Sequence, residues 1–482
     1  MMDYEILDVD ALGRIGFFEI RKTRIVTPTL IPVIHPFDNI IKPSFIKRIG
    51  FDLIFTNSYI IYQNKVKRNE VIEKGLHDYL NFNGLIATDS GAFQMYMYQN
   101  NDFNLDPQSI ETFQEKIKSD FPVILDLPVQ LDDDYNTAKT KIHKTVERSK
   151  ENIRRRTQDT CHWIGPIHGG RYRDLLRTSA KEMSKLDFDI YALGGLVKAF
   201  LDYRFKDTIE MLMEVKKNII PNKPLHMFGL GLPQFFSLAV ACGCDLMDSA
   251  AYILYAEKNR YFDLSTGTKN LEEMTEFPCN CPICLNYTPK EIMKFSQEER
   301  TKLLAKHNLY ISQLELKTIR QAIRDGNLWE LVEQRVRNHP NLVDALSESK
   351  NHLNFFEEYE KTYKDHGRLF SSLESLNRPL NFRYKKNIIS KFRIPSRSRY
   401  LIILPELDVR IQNSPSLQIW VSKLNNQRFI RRENIHLTFF SPVFGIIPLA
   451  LQNSYPVGQY ESLSYNFLEH NNNRCDISNI IN

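Results

Sequence analysis

No stretch of about 18 consecutive apolar residues occurs in the 482-residue chain, so nothing in it is long enough to span a bilayer as a helix. The opening MMDYEILDVDALGRIG carries acidic residues and lacks the apolar core of a secretory signal, which argues against secretion. Neither sign of charge dominates: 63 Lys and Arg face 58 Asp and Glu, and a net charge of +5 permits a polyanionic partner without demanding one. Repeats of the solenoid kind are absent, and 42% hydrophobic with 25% charged residues is neither a disordered nor a fibrous composition. Cysteine is scarce. The seven present are Cys161, Cys242, Cys244, Cys279, Cys281, Cys284 and Cys475. An odd number with three crowded together fits a metal site better than a disulfide framework, and a reducing cytoplasm better than an oxidising compartment.

What the chain does contain, between residues 27 and 250, is a repeated theme: a short apolar or β-branched run ends in polar or Gly-rich residues and is followed by a charged, helix-like stretch. The runs fall at 27–34, 52–60, 85–90, 121–128, 163–170, 190–196, 225–231 and 244–250. Alternation of this kind reads as parallel sheet, and eight units over this span predict an α/β chain folded as a closed (β/α)8 TIM barrel, with an open doubly wound sheet as the alternative. Asn57, Asp89, Asp126, His168, Gly194, Gly229 and Asp248 all lie at or just beyond the C-terminal ends of their runs, the face on which barrel enzymes keep their sites. Turn-forming residues explain any one of these; they do not explain the whole set.

Beyond the runs, 265–310 holds the cysteine cluster and 311–345 has the apolar spacing of helix until Pro340. The expected organisation is a barrel with an inserted zinc-binding region (1–345, zinc region about 265–310), a polar linker or docking segment (346–385), and a small α+β C-terminal domain (386–482). Two basic stretches, 139–156 and 383–399, are each either a phosphate-contacting surface or an ordinary solvated one.

Three constellations carry chemistry. Cys279, Cys281 and Cys284 supply three thiolates within six residues, and His307, on a helix-like segment downstream, can close a tetrahedral Cys3His zinc site. With no vacant position such a site is structural: it would staple the loop after the eighth run to the outer helices. Asp89 and Asp248, at the ends of the third and eighth runs, face a common pocket in a barrel. Two carboxylates there permit double displacement at an anomeric carbon, one as nucleophile and the other moving protons; helix capping is the plainer use of each alone. Asp126, His168, Gly194 and Gly195 offer acceptors and backbone donors to a purine, with Phe93 or Met227 placed to stack on it.

Together TDSGAFQ, ALGGL, GLGLP, DLMDSAAYILYA, FPCNCPIC with LAKHNL, and AIRDGNLWELVEQRVRNHP resemble the archaeal tRNA-guanine transglycosylases across about residues 10–345. LFSSLESLNRP and FGIIPLALQNSYP look like the first C-terminal domain of that family. The resemblance implies exchange of guanine at position 15 of the tRNA D-arm for free 7-cyano-7-deazaguanine, in archaeosine synthesis, without cutting the backbone. It makes Asp248 the nucleophile and Asp89 the general acid/base, sets Ser90, Phe93, Asp126, Gly194, Gly195 and Leu196 around the base, and gives zinc to Cys279, Cys281, Cys284 and His307. A homodimer is the family's default. Two departures stand out. His168 occupies a position where the family usually has Gln to hydrogen-bond the base, and the chain stops after the first C-terminal domain, without the PUA module of full-length relatives. The expectations are a separately encoded PUA partner or a different nucleic-acid substrate. A DNA-modifying deazaguanine transglycosylase and a non-catalytic RNA-binding subunit are the alternatives, the latter opposed by the intact Asp89 and Asp248.

Overall fold

The N-terminal residues alternate along strands β1 (Glu5–Asp10), β2 (Gly13–Ile20) and β3 (Thr23–Thr27), which pair as an antiparallel meander in a computed structural model that describes residues 2–92, 106–156, 160–365, 367–405, 415–426 and 434–463. Arg21 and Lys22 both take positive φ (49° and 66°), the backbone of a tight two-residue hairpin turn. The inward face of the meander, Phe18, Ile20 and Ile25, is buried.

Each of the eight apolar runs carries one parallel strand: β4 (Thr29–Pro32), β5 (Leu53–Asn57), β6 (Leu85–Asp89), β7 (Phe121–Pro122), β8 (Ile164–Ile167), β9 (Ile190–Leu193), β10 (Leu225–Met227) and β11 (Leu246–Ser249). They are almost wholly buried, as expected of strands covered on both faces, so their sequences run apolar instead of alternating. Five pair in the order β4-β11-β10-β9-β8 and three in the order β5-β6-β7, all in parallel. Single parallel bridges join Val33 to Phe55 and Val123 to Ile164. The chain is therefore α/β with parallel sheet. Phe18, Ile20 and Ile25 of the meander share one core with the first residues of the strands, among them Leu53, Leu85 and Leu246. Their N-terminal ends are thereby filled, and the opposite ends are left for chemistry.

A buried ion pair ties the meander to the residue that leads into β11. Arg14 meets Asp245 with two hydrogen bonds of 2.7 Å, and the backbone N–H of Leu225 donates to the same carboxylate at 2.8 Å. Burial works against the Asp245 charge, but Arg14 and then Lys216 outweigh it, and the carboxyl is held below its ordinary range. The folded value lies below the unfolded one, so the contribution is complete above about pH 4 and drains away as the pH falls through the folded value. Arg14→Ala strands a buried carboxylate and should destabilise the fold by about 3–5 kcal/mol. Urea melts at pH 7 check this, and a loss below about 1 kcal/mol, the range of an exposed pair, would refute it.

After β11 come a hairpin, β12 (Arg260–Asp263) and β13 (Gly267–Asn270), two short helices and the 29-residue helix Gln297–Asp325. The chain divides into two compact units, one of residues 1–324 and 334–348, the other of 325–333 and 349–482. The second unit is α+β: β14 (Arg368–Phe370) pairs with β18 (Tyr460–Ser462), and β15 (Tyr400–Pro405), β16 (Ile435–Ser441) and β17 (Gly445–Pro448) form a three-stranded sheet. Residues 346–385, whose polar composition reads as a linker or docking segment, supply this unit with buried Phe356, Phe370 and Arg378. Arg378 is 1% exposed and is held by Glu333 at 2.6 and 2.7 Å and by Glu330 at 2.8 Å. Among the described residues no helix is long and apolar enough to cross a membrane.

Candidate active site

At the C-terminal ends of the parallel strands lies a cavity of about 290 Å³, lined by Asn57, Asp89, Asp126, His168, Gly194, Gly195, Leu196, Phe228 and Asp248 among others. This is the small end of the ligand-pocket range, suited to one flat ring system. Of the 21 described residues of the wall, nine are named from the sequence, its polar and glycine positions above all, and most of the apolar ones are missed.

Asp89 ends β6 beside Asn57, its partner in the parallel register with β5. The Asn57 amide donates to Asp89 Oδ2 at 2.9 Å while its own oxygen caps the next helix by accepting from the Ile60 N–H at 2.9 Å. One side chain therefore starts a helix and aims a carboxylate. Ser58 fixes the same strand end by donating to the Asp89 carbonyl at 2.6 Å.

Asp248, near the end of β11, is gripped from β10. His226 Nε2 donates to its Oδ1 at 2.8 Å and the Gly229 N–H reaches the same oxygen at 3.2 Å. A carboxylate only accepts, so the Nε2 proton assignment follows. His226 is fully buried, edge-on to Phe228 (4.8 Å) and Phe55 (6.2 Å). Sequence reasoning missed it. Period-two alternation puts His226 and Phe228 on one side and Met227 on the other, a pattern that the three residues of β10 are too few to show in the sequence. The same alternation corrects one expectation: Met227, offered as a stacking residue, does not line the cavity, and Phe228 does.

Asp126 and His168 form a close pair, Nε2 to Oδ2 at 2.5 Å, and His168 Nδ1 is buried with no hydrogen-bond partner. Gly194 lies flat against that ring: a Cβ there would sit 2.3 Å from His168 Cε1. Gly195 has φ +80°, and its Cβ would meet the Val129 carbonyl at 2.2 Å, so only glycine fits. Ser90 is fully buried and turned away, donating to the Ile124 carbonyl at 3.0 Å. Leu196 is buried in the wall, and Phe93 lies outside the described residues.

The second constellation is the cysteine cluster. The ligand atoms of Cys279, Cys281, Cys284 and His307 all lie within 4.8 Å of one another. Cys281 Sγ is 3.5 Å from Cys284 Sγ, and the two sulfurs are 3.5 and 3.4 Å from His307 Nδ1. A tetrahedral ion with sulfur ligands at about 2.3 Å and nitrogen at about 2.0 Å requires separations of roughly 3.3–3.8 Å, and the three among Cys281, Cys284 and His307 fall in that range. The other nitrogen, Nε2, donates to the Phe262 carbonyl at 2.9 Å, which fixes the tautomer that leaves Nδ1 bare for a ligand bond. Tyr261 stacks on the imidazole at 3.7 Å. Burial, and then the Cys284 sulfur, push its phenol well above the ordinary range, so it keeps its proton and donates toward that sulfur at 3.6 Å.

The family model described as queuine tRNA-ribosyltransferase matches residues 9–341. A tRNA-guanine(15) transglycosylase of Methanocaldococcus jannaschii is 40% identical over 467 residues, covering 95% of this chain and 68% of that protein. The Methanococcus vannielii protein of the same name is 37% identical over 486 residues, 99% of this chain and 72% of its own length. That of Pyrococcus furiosus is 40% identical over 388 residues, 80% and 65% respectively. With a cavity walled by two strand-end carboxylates, a Cys3His cluster and this extent of similarity, the chain belongs to the queuine tRNA-ribosyltransferase family.

Proposed function

We propose that this chain is a pentosyltransferase that exchanges guanine at position 15 of tRNA for free 7-cyano-7-deazaguanine, in archaeosine synthesis. The observation that carries the reading is the pair of carboxylates, Asp89 and Asp248, in one cavity at the strand ends. Asp248 attacks C1′ of the ribose: a bond forms between its oxygen and C1′, the C1′–N9 bond breaks, and the electron pair leaves with the base. Asp89 delivers the proton that the departing guanine takes up. It then removes the N9 proton of the incoming base, which displaces the ester from C1′; two inversions give net retention.

Asp126 accepts from the N1–H and amino group of the base, His168 stands in the wall beside it and holds Asp126 through Nε2, and the backbone at Gly195 and Leu196 supplies donors. The eight strands are read as one closed (β/α)8 ring, supported by the two bridges that join the five-stranded and three-stranded sheets. Cys279, Cys281, Cys284 and His307 would hold one zinc ion, which the thiolate-rich donor set favours. When bound it supplies cross-linking of the region after β11 to the helix Gln297–Asp325 and takes no part in the exchange.

The test is to incubate the protein with 7-cyano-7-deazaguanine and either unmodified tRNA or duplex DNA, then to digest each and find the modified nucleoside by mass spectrometry. Incorporation into tRNA at position 15 is expected. Incorporation into DNA alone, or into neither, would overturn the proposal.

A further inference from the structure

We infer that His226 is a positioning residue of the exchange: it fixes Oδ1 of Asp248 so that Oδ2 is the oxygen that bonds C1′, and it stabilises the carboxylate when that bond breaks. The inference rests on the activity proposed above. Both hydrogen bonds to Asp248, from His226 Nε2 at 2.8 Å and the Gly229 N–H at 3.2 Å, go to one oxygen. Among the described residues Oδ2 receives none, although the carboxylate lines the cavity. The two oxygens are thus unequal before any substrate arrives.

The imidazole has little freedom to do anything else. It is fully buried between Phe55 and Phe228, and its Nδ1 makes no hydrogen bond, so its one polar contact is with Asp248. A polar ring in so apolar a setting is costly unless that contact returns something. What it returns follows from charge. In the first half of the reaction the carboxylate becomes a neutral ester, with Oδ2 bonded to C1′ and Oδ1 the carbonyl oxygen. In the second half the incoming base bonds C1′, the C1′–Oδ2 bond breaks, and a full negative charge returns to the carboxylate. Donors held on Oδ1 favour that charged form, so they assist the departure of the enzyme more than its attack.

The experiment follows incorporation of labelled guanine into unmodified tRNA and, in the same reactions, the fraction of tRNA held as an SDS-stable adduct, for the wild type, His226→Phe and His226→Gln. His226→Phe keeps the ring volume and removes the donor; His226→Gln keeps a donor near the Nε2 position. Turnover by His226→Phe should fall about 10²-fold. Its KM for tRNA should stay within a factor of about 3, and its adduct should decay more slowly relative to its formation, so that the adduct fraction rises. His226→Gln should recover turnover to within about tenfold of the wild type. A merely structural role would lower both variants and tRNA binding together, leave formation and decay in their original ratio, and overturn the inference. So would a His226→Phe protein as fast as the wild type. A wild type that does not exchange guanine would instead overturn the activity itself, and this inference with it.

Discussion

Asp248→Asn is expected to lower base exchange by about 10⁴-fold or more while leaving tRNA affinity and melting temperature nearly unchanged. The amide is close to isosteric, and its oxygen can still accept from His226 and Gly229, so the strand end keeps its contacts. What it loses is the anionic oxygen proposed above to attack C1′. Asp89 is engaged by Asn57 on the neighbouring edge. Exchange of labelled guanine and a gel-shift titration on the same preparations separate chemistry from binding. More than about one per cent residual exchange would remove Asp248 from the nucleophile's role.

The second large effect concerns the metal. Elemental analysis should find about one zinc per chain, and Cys281→Ser or exhaustive chelation should remove it and lower the melting temperature by about 10 °C or more. The reasoning is local. Cys279 and Cys281 lead into the short helix Pro282–Asn286, which carries Cys284 and buries Ile283 and little else, so the segment has scant apolar core of its own. His307 is wholly buried on the helix Gln297–Asp325, and without an ion three thiols and an imidazole would crowd one another within 4.8 Å. A metal-free protein with an unchanged melt would refute the site.

Much of this was legible because it is local in sequence. The eight strands are short apolar runs that end in polar residues, and three cysteines within six positions need no tertiary information to be noticed. What escaped depends on register. Asn57 reaches Asp89 across 32 residues because β5 and β6 align them side by side, and His226 reaches Asp248 across 22 because β10 and β11 pair. No spacing rule within one segment contains either contact. Met227 failed for a related reason. A three-residue strand is too short for its alternation to show in composition, so the face that each residue takes was unreadable. The allotment of 325–333 to the second unit was equally hidden, since its acidic residues find their partner in Arg378, 45 positions away from Glu333.

That last separation is also an interval of time. On a ribosome adding about 5–20 residues per second, Glu333 is made some 2–9 s before Arg378, and Glu330 slightly earlier. During that interval Glu330 and Glu333, both within the helix Leu328–Val336, lack the Arg378 guanidinium that pairs with them, and the segment that follows, 334–348, belongs to the first unit. The acidic side chains of that helix are therefore left to water until the second unit's arginine is made.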